Sequence, residues 1–437
     1  MYLISISILF IFLMNIFFLI GFIFRPEKDI NKNKYDLGSI LLGYAIFIII
    51  SFHSYFIFNI KNTFLLFSVL IFSLIYYLKL KNFFINNKSK LLKYNFFILI
   101  FFIIFCCPIL LFGEQFYVFR GNYWDNFNYL SSALFFKNYS YPEISSLQSN
   151  DNFNSFQSIE TIVLYRPYIN YFLSLFLNLK FLDVFLINFL FKIFLSILNF
   201  LALISFLELF KHLNENKRII LSFIFSFSFF SIYIFEIEAL SHLGSIPLLL
   251  MSIKFLHLIK FSQNKILLKN IFYIASFNSA LFIIYPEIFI FYLIIFLSYT
   301  CIEFSFDKLK QHYKSYIFYI FLFSLFTISS FDLNYNFLST QISQALRSNL
   351  DWWGYYGSFI FGRENLVLDK SYVDSIIYNL TNKNIIQLIK MFYVDHINLG
   401  YKFFYLNIIP SLFGMYYISV GKHTTIIFYL FYFFILF

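Results

Sequence analysis

Charge is scarce in this 437-residue chain: Asp, Glu, Lys and Arg make up only 12% of it, about half the share of an ordinary soluble domain. With 60% hydrophobic residues and a mean hydropathy of +0.76, too few polar groups remain to cover a water-soluble fold. Cysteine is nearly absent. Cys106 and Cys107 sit together inside one apolar run and Cys301 near the end of another, which excludes a disulfide framework and gives no metal-ligand spacing. These three read as packing residues. Glycine (12) and proline (7) are also few. No flexible linker divides the chain, and neither a phosphate-binding Gly loop nor a nucleophile elbow is present, so cytosolic nucleotide chemistry has no support. The seven His are scattered with no i, i+4 pair, against a zinc site. Before Arg25 there is neither a basic n-region nor a small-residue cleavage site, so the first apolar segment is expected to stay as an anchor.

What is present is apolar and aromatic. The 71 Phe and 35 Tyr, with much Ile, Asn and Lys and little Ala, resemble the output of an AT-rich coding sequence, in which Phe often stands where Leu would serve. A bilayer core of ~30 Å needs about 20 apolar residues in a helix. Runs of that kind lie near 2–24, 38–60, 63–79, 94–112, 181–208, 219–235, 245–260, 270–285, 286–303, 315–331, 403–420 and 424–437. The expected fold is therefore an all-α polytopic transmembrane bundle of about twelve spans. It divides into four N-terminal helices in 1–112, a core in 113–331 opening with a loop at 113–166, a second loop at 332–402 and C-terminal helices in 403–437. Because the sequence stops inside an apolar run at Phe437, the chain is expected to be incomplete there.

Basic residues orient these spans by the positive-inside rule. They collect in alternate connections: Arg25 to Lys34, Lys79 to Lys93, Lys211 to Arg218, Lys260 to Lys269, and Lys308 to Lys314. Five clusters in phase put the N-terminus and both long loops outside. The net charge of +10 is thus assigned to cytoplasmic loops facing membrane lipids, not to nucleic acid. The apolar stretch 168–179 is too short to span, and parity makes it a helix lying in the outer interface or entering partway under the cover of neighbouring protein. Pro167 suits its first turn.

The outer loops carry the acidic residues that chemistry would use. In the first, Trp124-Asp125 lies between Tyr and Asn; its carboxylate is either a general base toward a hydroxyl, a holder of a divalent cation, or an ordinary solvated side chain. Glu236, Glu238 and His242 lie in a short outer connection, and Glu236 and Glu238 would point in different directions on a helix. They serve either a cavity or a hydrated turn. Tyr285-Pro286-Glu287 interrupts a long apolar run, with Glu287 suited to a first helical turn by the helix dipole alone. Arg166 can grip a lipid phosphate or simply reach the headgroups. In the second loop, Arg347 and the Asp351-Trp352-Trp353 run suit sugar recognition, although Trp is also the usual interface anchor.

Taken in order, these features resemble the GT-C-type integral membrane glycosyltransferases, which use polyprenyl-phosphate-linked sugars. The resemblance rests on Trp124-Asp125 in the first large outer loop, the Pro-containing helix from Arg166-Pro167 to Leu173, the acidic turn from Glu236 to His242, and Tyr285-Pro286-Glu287. It covers residues 94–331, with four spans ahead of the loop where many members have one, and with a lone Asp where members often have a pair. It implies transfer of a sugar from a polyprenyl-phosphate donor to a glycan, lipid or protein acceptor at the outer face of a bacterial inner membrane. Asp125 would be the catalytic group, with Arg166, Glu236, Glu238, His242, Glu287, Arg347 and Trp352 binding substrate, and any divalent cation held by Asp125. Two other classes share the outward-facing helical pattern. A membrane polysaccharide polymerase or ligase would lean on Arg347, Arg363 and His396, and a transporter or flippase of lipid-linked glycans would show internal repeats and broken helices.

Overall fold

The computed structural model describes residues 2–24, 36–60, 68, 69, 71, 75, 85–112, 124–140, 143, 167–178, 183–227, 231, 234, 235, 239–259, 264–303, 313–336, 338 and 339. Among them there is no strand. The helices are α1 (Tyr2–Phe24), α2 (Leu37–Phe56), α3 (Lys88–Phe112), α4 (Trp124–Asn138), α5 (Pro167–Phe176), α6 (Val184–Phe206), α7 (Glu215–Ser226), α8 (Leu240–Ile259), α9 (Asn264–Ile284), α10 (Pro286–Glu303) and α11 (Tyr313–Thr327). Among the described residues, five stretches, Leu37–Phe56, Lys88–Cys107, Val184–Leu209, Leu240–Ile259 and Tyr313–Asn336, are long and apolar enough to cross a membrane. The expected spans at 403–420 and 424–437 lie outside the described residues, as does most of 63–79.

Local chemistry sets several boundaries. The side chains of Asp36 and Asp183 cap α2 and α6 by accepting from the amides of Gly38 and Phe185, and Asn214 caps α7 through Lys217 N–H. Pro167 and Pro286 each occupy the first position of a helix, where a missing N–H costs nothing.

Helix α2 is the hub, packed against α1, α6, α8 and α9. Its hairpin with α1 is unusually close. A Cβ on Gly43 would collide with the Phe17 carbonyl, and one on Gly21 with the Ser39 carbonyl. Small residues thus let two backbones touch, the usual way helices gain contact where lipid supplies no hydrophobic drive. Around the crossing, the Phe17 ring packs on Tyr44 and Phe47, with centroids 5.7 and 5.4 Å apart.

At one end of the bundle, Lys93 on α3 binds Glu215 on α7 at 3.2 Å, and Lys254 on α8 binds Glu208, just past α6, at 2.7 Å. Burial works against the Glu215 carboxylate, but hydrogen bonds from Lys93 and Tyr94 outweigh it and hold the group below the usual carboxylate range. These pairs bring the basic connections near 85, 214 and 260 to one side, the arrangement that the positive-inside reading requires. A single Cys placed at position 85 should therefore resist an impermeant thiol reagent applied to intact cells. Labelling there from outside would reverse the orientation.

The expected loop at 113–166 carries a helix, α4, whose Tyr129, Leu130, Ala133 and Phe136 recur at helical spacing and are buried. Two boundaries need correction. The connection expected to run to His242 ends earlier, since Leu240 already begins α8. The outer loop expected from 332 starts later, because helical structure continues to Asn336.

The short apolar helix α5 is not a surface element: all ten of its residues are buried. It runs antiparallel to α2, with the Tyr168 hydroxyl 2.7 Å from Ser51 Oγ and Phe172 against Tyr44 and Phe47. At its far end Phe176 meets Phe191 and Phe194 of α6. Residues 167–176 thus enter between covering helices, and the next helix, α6, begins at Val184.

Candidate functional site

Two residues singled out in the sequence, His242 and Tyr285, meet close to the helix that carries Asp125. Asp125 lies in the first turn of α4, and one turn later Tyr129 is fully buried with its hydroxyl 3.3 Å from Ser241 Oγ on α8. Beside Ser241 stands His242, whose Nε2 is 3.2 Å from the Tyr285 hydroxyl; the two rings meet edge to face with centroids 4.7 Å apart. Tyr285 immediately precedes Pro286 and Glu287, which open α10. Helices α4, α8, α9 and α10 therefore bring the Asp125 turn, His242 and Glu287 into one neighbourhood. Arg166, Glu236, Glu238, Arg347 and Trp352 lie outside the described residues.

This neighbourhood is recessed. Lys254 Nζ donates to Ser205 Oγ at 2.8 Å, which sets the level of α8 against α6. From there, Val184 is about 32 Å away along α6 but Leu240 only about 21 Å along α8, at ~1.5 Å per residue. Helix α8 thus starts about 10 Å short of the outer end of α6. Phe235 agrees, since its ring lies 5.8 Å from that of Phe189 and under the Lys192 ammonium at 4.8 Å. The neighbourhood sits inside the bundle, recessed from the end of α6 that begins at Val184.

Pro247 lies inside α8 and cannot supply the amide that Leu243 would otherwise bind. The neighbouring carbonyl, that of Gly244, accepts from the Tyr44 hydroxyl of α2 at 3.1 Å. A Cβ on Gly244 would lie 3.3 Å from that same hydroxyl, so the glycine keeps the contact open. The position of Ser241 and His242 is therefore set jointly by α2, α4 and α9.

Two residues that hydropathy passes over stand out. Lys192 is 5% exposed in the middle of α6, and Tyr171 on α5 is buried against Tyr55 with ring centroids 4.4 Å apart. The overlooked signal for Lys192 is periodic: Asn188, Lys192, Ser196 and Asn199 are spaced to share one face of α6, and all four are buried.

His242 and Glu287 are the donors the described part of the neighbourhood offers a divalent cation, and no group of three His, Cys, Asp or Glu assembles among the described residues. No family model matches the chain, and neither a curated protein nor a solved structure matches it.

Proposed function

We propose that this chain is a GT-C-type membrane glycosyltransferase, with about twelve spans in a bacterial inner membrane, that moves a sugar from a polyprenyl-phosphate donor to an acceptor hydroxyl. The acceptor is a glycan, lipid or protein of the cell envelope. The observation carrying this reading is the recessed path from the Asp125 turn through Tyr129, Ser241, His242 and Tyr285 to Glu287. Titratable groups set inside an apolar bundle are costly, and such groups mark a functional site in membrane proteins.

The chemistry is a displacement at the anomeric carbon with inversion. The acceptor oxygen bonds to that carbon while the bond to the phosphate oxygen breaks, the proton of the acceptor passes to Asp125, and the polyprenyl phosphate departs with the electron pair. The leaving group is a good one, so the protein's main work is to align two substrates and to stabilise growing negative charge on the phosphate. Asp125 belongs to a helix whose next turn is held by the Tyr129–Ser241 contact, which fixes the backbone that carries the base. Arg166, next to the buried helix α5 in sequence, is the cation assigned to the phosphate.

The purified chain in lipid nanodiscs, given polyprenyl-phosphate sugars and membrane acceptors, is expected to release polyprenyl phosphate. No release from any hexose or pentose donor would sink the transferase reading. Chain extension of lipid-linked oligosaccharides, or their movement across vesicles, would then favour the polymerase or the flippase.

A further inference from the structure

Helices α3 and α7 lie side by side and point the same way. Near their beginnings Lys93 binds Glu215 at 3.2 Å and donates to Asn216 Oδ1 at 3.1 Å. Deeper in the bundle the Phe101 ring meets that of Phe223 with centroids 6.0 Å apart, and Phe105 meets Phe227 at 5.0 Å. Lys93, Phe101 and Phe105 therefore mark the edge of α3 that faces α7, and Glu215 and Phe223 the matching edge of α7.

Turning round each helix by ~100° per residue from that edge separates a covered side from an open one. Toward α6, Tyr94, Ile98 and Phe102 of α3 and Ser222 of α7 are buried. On the other side, Leu92, Phe96 and Ile103 of α3 and Ile220 and Ile224 of α7 are exposed. In two parallel right-handed helices, the residue before the contact edge on one and the residue after it on the other fall on the same side, so these apolar side chains flank a single seam. From Leu92 to Ile103 the row is about 16 Å long at ~1.5 Å per residue, close to one leaflet's half of a ~30 Å hydrocarbon core.

The mouth of the seam is cationic. Lys90 acts on Glu215 together with Lys93, and Tyr94, which donates to Glu215 at 3.1 Å, lies within electrostatic reach of Glu208 and Arg218 as well. Lys254 holds Glu208 at 2.7 Å, which leaves Arg218 3.6 Å from the same carboxylate. Four cations, Lys90, Lys93, Arg218 and Lys254, thus share two carboxylates, Glu208 and Glu215, among the described residues. Lys93 and Glu215 are each about one-third exposed, so headgroups can reach the surplus charge.

We propose that this seam binds an anionic phospholipid from the leaflet at that end of the bundle. Its phosphate lies against Lys90 and Lys93, Arg218 adds positive potential from the side toward α6, and an acyl chain runs along Leu92, Phe96 and Ile103. A lipid fits where a soluble acidic partner does not, because the apolar row continues directly from the cations into bilayer depth. The bound lipid ties α3 to α7 at the end of the bundle away from the recessed path, independently of the transfer reaction proposed above.

The full chain, purified in detergent, is titrated with phosphatidylglycerol, phosphatidylcholine and inorganic phosphate, and bound lipid is counted by native mass spectrometry. Lys88 is exposed at the same helix end as Lys90 but ~200° around α3 from it, so Lys90→Gln and Lys88→Gln lose equal charge in different places. The native chain is expected to hold phosphatidylglycerol at least ~tenfold more tightly than phosphatidylcholine. Lys90→Gln should lose about fivefold of that affinity, the effect of one basic side chain at an anionic surface, while Lys90→Arg and Lys88→Gln keep it. Phe96→Ser, which leaves every cation in place and keeps the test decisive if Lys90→Gln does not fold, should weaken binding at least ~threefold through lost apolar contact. Equal affinity of the native chain for the two lipids, or full affinity in Lys90→Gln or in Phe96→Ser, would overturn the site. Equal losses in Lys90→Gln and Lys88→Gln would reduce it to diffuse surface charge and overturn it too. Displacement of the lipid by inorganic phosphate at matching concentration would assign the cations to a dissolved anion and remove the lipid.

Discussion

Asp125→Asn is expected to abolish sugar transfer while leaving the protein folded. Asn keeps the shape and much of the hydrogen bonding of Asp but cannot take the acceptor's proton. Loss of a general base of this kind costs about 10²–10⁴ in rate. The fold should tolerate the change, because the anchoring contacts of α4 come from Tyr129, Leu130, Ala133 and Phe136, one turn and more beyond position 125. Glu238→Gln is the companion measurement and should lower activity less, since its assigned role is to position substrate. The quantities to compare are initial rates of polyprenyl phosphate release at matched expression and matched unfolding temperature. Full turnover by Asp125→Asn would mean that the base lies elsewhere, and would move the polymerase and flippase readings ahead.

The second large effect concerns architecture. Gly43→Ala is expected to lower unfolding stability by about 1–3 kcal/mol, the range for forcing extra volume into a packed core. The reason is specific to the α1–α2 crossing: the new methyl would meet the Phe17 carbonyl, a backbone atom with no rotamer to escape into, and would lie 2.9 Å from the Gly21 amide nitrogen. Helix α1 would have to move away and break its ring contacts to α2. Gly38→Ala is the control, because a methyl there meets only the Asp36 side chain, 3.1 Å away. Thermal unfolding in detergent compares the two. An unchanged midpoint for Gly43→Ala would show that the helices separate at no cost, contrary to the packing described.

Much of the helical plan was legible because apolar length is a strong signal. The runs at 2–24 and 286–303 match α1 and α10 to the residue, and Pro167 marked the start of α5. Less legible was anything requiring a helix face to be compared with its partner. Helix α4 is short and polar at its start, so hydropathy alone leaves it inside a loop; only the spacing of Tyr129, Ala133 and Phe136 gives it away. Lys192 was hidden for a related reason, since one lysine among 23 residues barely lowers a hydropathy average. The depth of α8 could not be read at all, because it follows from the pairing of Lys254 with Ser205 across two helices.

Pro247 leaves the first part of α8 one backbone hydrogen bond short. With one rung of the ladder missing, the segment from Leu240 to Ile246 is joined to the remainder of its helix as a lever is joined to a pivot. Its first turn carries Ser241 and His242, and it is held by the Tyr44 hydroxyl on α2 together with Tyr129 and Tyr285. The set of that lever therefore depends in part on a residue one position from Gly43, in the close α1–α2 crossing. Pressure on the α1–α2 hairpin would reach the turn that carries His242 by way of the Tyr44 hydroxyl, making α2 one route by which a neighbour in the bilayer could steer the site from a distance.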